Sequence, residues 1–494
     1  MYKDATIDEI NEAAGKAWRA FVIYRNISLR KRAAFMMEIA AQIEALGPVL
    51  VETAMRETNL PQARLQGERT RLIFQLTSYA QACERGNWLE ARIDTALPSR
   101  NPPRPDIRKM LVALGPVVVF GASNFPFAYS TAGGDTACAF AAGCPVIVKA
   151  HPAHAETSEL VAAAIWKAVN LTGLPEGVFS HIHSSGFEGG KALVLHPRVK
   201  AVGFTGSYAG GKALYDLAAQ RPEPIPVFSE MGSTNPVFLL PEKLKQSASD
   251  IAKIYAASIT LSVGQFCTNP GLIIGPEGED LNQFLSQLAA EIRKIDPATM
   301  LQPRIAKQFL LNRKKALEQQ GVELIAASDK EAIENQGMPT IASVSAKTFL
   351  ENPQLHQEVF GPYSLVIRCA DEAQLLEVAT HLEGQLTSTL MATVKDIQNN
   401  LDLVEAVKNL CGRLILNGVP TGVEVCLSMQ HGGPFPATTD SRFSSVGADG
   451  IKRFGRPLAF QNWPDQLLPD ELKNANPLGI WRTLNDELTK EAIS

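Results

Sequence analysis

The chain has no CxxC pair, and its seven cysteines (Cys83, Cys138, Cys144, Cys267, Cys369, Cys411 and Cys426) are dispersed without paired spacing. An odd, scattered set in a chain of 494 residues fits a reducing compartment and argues against a zinc site, so no metal is expected. Long hydrophobic runs are missing too. The longest, such as Val117 to Ala122, fall far short of a membrane span and are broken by Gly and Pro. The N-terminal residues carry neither the apolar core of a signal peptide nor the Arg-rich, acid-poor character of a transit peptide, so a cytoplasmic chain without membrane association is expected. Charge of one sign is scarce. A net charge of −4 from intermixed residues gives no basic footprint, and no nucleic-acid partner is expected. The Rossmann GxGxxG, internal repeats and low-complexity segments are also lacking.

What is present is an ordinary globular composition, 45% hydrophobic and 20% charged, in a chain too long for one core. Two or three domains follow. The chain up to about residue 90 shows helical spacing, with Ile10, Ala14, Trp18 and Phe21, then Ala33, Met36, Ile39 and Ile43. A probable helix near 60–75 concentrates Arg64, Arg69 and Arg71, ordinarily a solvated face. Pro and Arg crowd 91–110, which predicts an extended excursion.

From Gly115 the pattern changes. Apolar runs at Val117–Phe120, Val146–Val148, 178–182, 201–204 and 226–228 alternate with helical stretches, the clearest at 157–169. That alternation predicts a doubly wound parallel sheet, with ligands at the carboxyl ends of its strands. A second α/β pattern follows, with strand-like runs at 272–274, 365–367, 390–394 and 414–416 and helices near 279–294 and 396–409.

The chemistry-bearing stretches sit at the ends of these runs. Leu261-Ser-Val-Gly-Gln-Phe-Cys267-Thr-Asn-Pro-Gly271 sets one cysteine before a sharp turn, which can hold a sulfur at the mouth of a site. Buried inert cysteine is the commoner fate, and only the other stretches change the balance. Gly121-Ala-Ser-Asn124-Phe-Pro126 pins an amide that can donate to an oxyanion. Val148-Lys149-Ala-His151-Pro152 places a lysine where a nucleotide hydroxyl or phosphate could be read. Phe204-Thr-Gly206-Ser207-Tyr-Ala-Gly-Gly211 opens a helix with glycines that let backbone N–H groups approach a pyrophosphate. Ser229-Glu230-Met-Gly232 sets a carboxylate at a strand end, where desolvation would raise its pKa and make it a usable general base. Glu358-Val-Phe360-Gly361-Pro362 reads alone as a turn.

In their order and spacing these stretches resemble the aldehyde dehydrogenase superfamily over nearly the whole chain. The resemblance implies a Rossmann-type dinucleotide-binding domain (1–94 and 113–231), an α/β catalytic domain (232–446) and an oligomerisation segment (95–112 and 447–494). It implies that Cys267 is the nucleophile, that Asn124 and the Cys267 N–H hold the oxyanion, and that Glu230 activates the hydrolytic water. Lys149, Gly206, Ser207, Gly211, Glu358 and Phe360 correspond to cofactor contacts. A small-molecule aldehyde substrate and a homodimer or homotetramer are implied as well. NAD-preferring members carry a glutamate where this chain has Pro152; without that carboxylate a 2′-phosphate meets no like charge, and His151 could favour it. NADP is therefore expected to be preferred, with NAD possible. Within the superfamily the resemblance is strongest to the 2-oxoglutarate semialdehyde dehydrogenases. It runs through Val148-Lys-Ala-His-Pro-Ala-His154, Pro420-Thr-Gly-Val-Glu-Val-Cys426 and His431-Gly-Gly-Pro-Phe-Pro-Ala-Thr-Thr439. The arginine helix then corresponds to one lining a substrate tunnel, and Arg71, with Arg64 beside it, becomes the candidate for a substrate carboxylate. The rival readings are a fatty-aldehyde enzyme with its arginines turned to solvent and a non-catalytic relative.

Overall fold

The computed structural model describes residues 2–493. The N-terminal periodicity becomes four helices, α1 (Ile7–Tyr24), α2 (Leu29–Ala45), α3 (Pro48–Thr58) and α4 (Gln62–Arg85). Thr6 and Glu9 form a reciprocal capping box on α1, and Ser28 caps α2. Pro48 sits in the first turn of α3, where its missing N–H costs nothing, and Asn59 ends that helix at φ 55°.

Strands β1 (Val117–Phe120), β2 (Val146–Lys149), β3 (Phe179–Ile182), β4 (Ala201–Thr205) and β5 (Val227–Glu230) form a parallel sheet in the order β3-β2-β1-β4-β5. This is a dinucleotide-binding order whose direction reverses between β1 and β4. All four residues of β1 are buried, because helices cover both faces. On one face Val117, Val119 and Val146 pack with Phe35 of α2 and with Phe140 and Ile165, carried by α5 (Gly134–Ala142) and α6 (Ala155–Leu171). On the other, Val118, Phe120 and Ile147 meet α1, α7 (Phe187–Leu195) and α8 (Tyr208–Ala219) through Ile10, Leu193 and Leu214.

A second sheet comprises β6 (Val237–Leu239), β7 (Leu272–Pro276), β8 (Glu323–Ala327), β9 (Thr340–Ser345), β10 (Tyr363–Cys369), β11 (Gln385–Met391) and β12 (Cys411–Leu416). Its order is β8-β9-β10-β7-β6-β11-β12, parallel except where β8 meets β9. Two expectations shift here. The run expected as strand at 390–394 is strand only to Met391, because Thr393 and Asp396 form a capping box and start a helix at Val394. The helix expected at 396–409 is broken at Asn400 (φ −124°, ψ 44°) into Val394–Asn399 and Leu401–Leu410.

The Pro/Arg-rich stretch and the C-terminal tail meet in a third, separate sheet ordered Gly455–Gln461, Ile107–Ala113, Arg92–Asp94, Arg482–Leu484, Glu487–Thr489. Helix α9 (Pro241–Thr260) leads into a turn where Ser262 (φ 49°), Val263 (φ 59°) and Gly264 (φ 64°) are all left-handed. For a β-branched valine this is a strained backbone, held only because its surroundings over-determine it. Gly264 is required there, since a Cβ would collide with the Gly361–Pro362 backbone. That strained turn delivers Cys267.

Candidate active site

Asn124 follows β1, Lys149 ends β2, Gly206 and Ser207 follow β4, and Glu230 ends β5, so the first sheet gathers these side chains at its carboxyl edge. Cys267 and Glu358 approach from the segments that precede β7 and β10. The two halves meet at the thiol. Asn124 Nδ2 donates to the Gln265 carbonyl (3.1 Å), which ties the Asn124 loop to the cysteine turn. The buried Asn235, itself left-handed at φ 47°, donates to the carbonyls of Cys267 (2.8 Å) and Asn269 (2.9 Å). Gln385 of β11 accepts from the Asn235 and Thr234 backbone N–H groups, so the thiol loop is fixed to the second sheet.

Three reactive groups converge. Cys267 Sγ lies 3.6 Å from His431 Nε2, and the same nitrogen lies 3.0 Å from Glu230 Oε1. Glu230 and His431 are 3% and 1% exposed, so both are buried. Ser445 donates to Glu230 Oε2 (2.6 Å), and the His431 backbone is held by Ser444 and Ser445. Burial pushes the Glu230 carboxyl up, but the opposing charge of His431 and hydrogen bonds from His431, Ser445 and Cys267 outweigh it. The net direction is below the usual carboxylate range, which corrects the expectation that desolvation would raise it. Burial, and next the Glu230 carboxylate, push the Cys267 thiol well above its ordinary range. A thiol so placed needs a proton acceptor and a counter-charge to become nucleophilic, and His431 can supply both.

Around the thiol lie aromatics and arginines. Phe125 packs edge-on to Phe266 (5.6 Å) and Tyr129 (5.1 Å). The Arg64 guanidinium lies over Phe125 and Phe266 and donates to the Asn124 carbonyl (2.6 Å). Arg64 thus holds the Asn124 loop through one terminal nitrogen, while the other is buried with no hydrogen-bond partner among the described residues. Arg69 turns away to the Gly47 and Glu44 carbonyls. Arg71 donates to the Val423 carbonyl (2.5 Å) and to Tyr129 (3.4 Å). Arg413 of β12 donates to the Pro420 and Gly422 carbonyls of the same loop and lies close enough to Cys267 and Tyr129 to feel their charge. Arg71 Nε and Arg413 Nε are buried and find no hydrogen-bond partner among the described residues.

The nucleotide side is built as expected in outline. Ser207 caps α8 by accepting from Gly210 N–H (3.3 Å), and Gly206 N–H donates to the Glu230 carbonyl, which aims the α8 N-terminus along the sheet edge. At Gly211 a Cβ would press on Met231. The half-buried Lys149 ammonium, its pKa lowered by burial, meets only the Ala150 carbonyl at 3.5 Å among the described residues, so it is available to an anionic ligand. These residues fit a dinucleotide. His151 does not add charge to that site: burial and then His154 lower it well below its ordinary value, and its Nδ1 accepts from Ala153 N–H. His151 therefore brings no standing charge to the cofactor-free site. Glu358 and Phe360 lie at the opposite rim, with Glu358 so close to Gly232 that a Cβ there would strike its carboxylate.

Residues 1–435 match the aldehyde dehydrogenase family. The chain belongs to that family. The dehydrogenase is 47% identical over 492 residues (99% of this chain and 93% of the relative) to alpha-ketoglutaric semialdehyde dehydrogenase of Acinetobacter baylyi. It is 50% identical over 475 residues (96% of this chain, 90% of the relative) to alpha-ketoglutaric semialdehyde dehydrogenase 2 of Azospirillum brasilense. Among solved structures, 1-pyrroline-5-carboxylate dehydrogenase from Thermus with bound NAD has the same fold, with a TM-score of 0.78 at 21% identity over 93% of this chain and 86% of that one. The chain is an NAD(P)-dependent aldehyde dehydrogenase, an oxidoreductase.

Sequence reasoning missed three residues of this dehydrogenase's site. His431 stands in the sequence only within a matching stretch; the available signal is a histidine beside Gly-Gly-Pro in a chain with only eight histidines. Arg413 and Asn235 gave no local signal, because each acts through carbonyls distant in sequence. Burial also raises Glu358 to about 8, which makes one testable consequence explicit. A carboxyl with a raised folded-state pKa keeps its proton while the unfolded chain loses it, so stability of the cofactor-free enzyme falls as pH rises from about 4.3 towards 8. Glu358→Gln removes this slope in thermal melts across that range; an unchanged slope would show that Glu358 is hydrated.

Proposed function

We propose that this dehydrogenase oxidises 2-oxoglutarate semialdehyde to 2-oxoglutarate with a nicotinamide cofactor, NADP in preference to NAD. The observation that carries the substrate reading is that Arg71 and Arg413 both reach the 420–423 loop beside the thiol, Arg71 also touching Tyr129 and Arg413 lying near Cys267, each with a buried Nε that finds no partner among the described residues. A fatty-aldehyde enzyme would have its arginines in solvent, whereas both of these are partly buried and Arg413 lies near the reacting sulfur. A carboxylate at the far end of a short aldehyde would accept from both guanidiniums. The names of the two relatives point the same way. NADP preference now rests on Lys149 with no carboxylate in the Ala150-His151-Pro152 run.

In this reading His431 takes the Cys267 thiol proton as the sulfur attacks the aldehyde carbon. The Asn124 amide and the Cys267 N–H stabilise the oxyanion of the thiohemiacetal. Bound, the nicotinamide supplies the hydride acceptor. Collapse leaves a thioester on Cys267; Glu230 takes a proton from the water that hydrolyses it, and the departing Cys267 thiolate recovers the proton held on His431. Thiolate and its acyl form differ in charge beside Glu230, so the pair serves two steps without a separate base. Lys149 and the α8 N-terminus hold the nucleotide's anionic groups, and Glu358 and Phe360 its nicotinamide end. The third sheet is the proposed surface for dimer or tetramer assembly.

The test is steady-state kinetics with 2-oxoglutarate semialdehyde, hexanal and decanal, each with NADP and with NAD. Arg71→Ala or Arg413→Ala removes a charged hydrogen-bond donor, worth about 2–3 kcal/mol, so kcat/KM for the carboxylated aldehyde should fall roughly 30- to 150-fold. Hexanal should change little. Equal losses on both substrates, or a wild-type preference for decanal, would remove the carboxylate reading.

A further inference from the structure

Strand β3 ends in His181-Ile182 with His183 next in the chain, and Glu159 projects from α6 beside it. Alternation along the extended chain puts both histidines on the α6 side. Glu159 Oε1 lies 3.0 Å from His181 Nδ1 and 2.5 Å from His183 Nε2, and the three donor atoms fall within 4.8 Å of one another. None of these residues belongs to the thiol site or to the nucleotide edge as described above.

We propose that Glu159, His181 and His183 form a binding site for a divalent transition metal of the zinc type, lying outside the catalytic centre. The donor set is two imidazole nitrogens and one carboxylate oxygen, which suits tetrahedral zinc with the fourth position left to water. The cysteine pattern is silent about such a site because it uses no sulfur.

Its surroundings are those of a built site. The other ring nitrogen of His181, Nε2, lies 2.8 Å from Ser158 Oγ, and Ser158 in turn bonds Thr131. That outer partner can accept Nε2–H, which frees the Nδ1 lone pair for a metal with no net loss of a proton from the imidazole. Ser158 then turns its hydroxyl proton to Thr131. The His183 ring is stacked on Tyr2 (4.3 Å, 6° between planes), and its carbonyl accepts from Ala5 N–H (2.9 Å), so its orientation is fixed as well. The His181 side chain is fully buried, while His183 and Glu159 are 15% and 30% exposed, which leaves an entry path on their side. Metal binding would tie the N-terminal segment, β3 and α6 together.

The catalytic Cys267, His431 and Glu230 would also attract zinc, so the test uses the full chain carrying Cys267→Ser to remove that thiol. Isothermal titration with zinc chloride after chelator treatment should give one equivalent per chain, with a zinc-dependent rise in Tm. Cobalt(II) should bind the same site and show the intense visible bands of tetrahedral coordination. Adding His183→Ala or, separately, Glu159→Gln should weaken binding by more than the roughly 10- to 100-fold that loss of an outer partner costs. In the otherwise native enzyme, His183→Ala should leave kcat for aldehyde oxidation unchanged. No stoichiometric binding, or binding equally strong in His183→Ala and Glu159→Gln, would reduce the cluster to a hydrogen-bonded network and overturn the proposal.

Discussion

Cys267→Ser should lower aldehyde oxidation by on the order of 10^4-fold or more, the scale seen when a nucleophile is removed from a concerted unit. A hydroxyl in place of the thiol is a far weaker acid, and here it would face the same buried Glu230 carboxylate that already pushes the Cys267 thiol upward. His431 can take a proton from sulfur at 3.6 Å, but the thermodynamic demand of forming an alkoxide there is much greater. His431→Gln is the companion measurement. It keeps the thiol and much of the side-chain volume but removes the proton acceptor, so iodoacetamide labelling of Cys267 should slow and its midpoint move to higher pH. Labelling with an unchanged midpoint would mean that the thiol is activated by something other than His431.

Glu230→Gln should separate the two halves of the reaction. Acylation needs the thiolate and the oxyanion donors, both still present; hydrolysis needs a base for water, which is lost. Rapid mixing with aldehyde and NADP should show a burst of reduced cofactor near one equivalent per active site, followed by turnover slowed roughly 10^2- to 10^4-fold. The acyl group should remain on Cys267 and be detectable by mass after quenching. The substitution also removes an anion beside the sulfur, so the thiol pKa should fall and the burst itself should not slow. A variant with no burst and equal slowing of both phases would place Glu230 in the first step instead.

These outcomes turn on features that differed greatly in how readily the sequence displayed them. Strand ends were legible: the apolar run at 117–120 and the one at 146–148 have to be buried on both faces, so the polar residues directly after them, Asn124 and Lys149, had to emerge at one edge. The cysteine was legible for a similar reason, since Gly264 and the Asn269-Pro270-Gly271 turn leave little doubt that the backbone bends sharply there. Val394 misled because its hydrophobicity reads as strand, yet it lies 75% exposed at the start of a helix that Thr393 and Asp396 cap. Local hydrogen bonds won over an apolar run.

The sequence by itself determined the family, the doubly wound sheet and the positions of Cys267, Glu230 and Asn124, because each of those depends on neighbours within a few residues. Tertiary structure alone decided the electrostatics. His431 arrives 164 positions after Cys267, in a stretch without regular structure, and its charge reverses the direction that burial alone would give Glu230. The same distance rule separates the arginines. Arg64, Arg69 and Arg71 are equivalent on paper, but each is claimed by a carbonyl of a different segment, and only Arg71 is drawn to the 420–423 loop that Arg413 from another sheet also holds. Burial and opposing charge act through space, so they become readable only once the chain has brought those groups together.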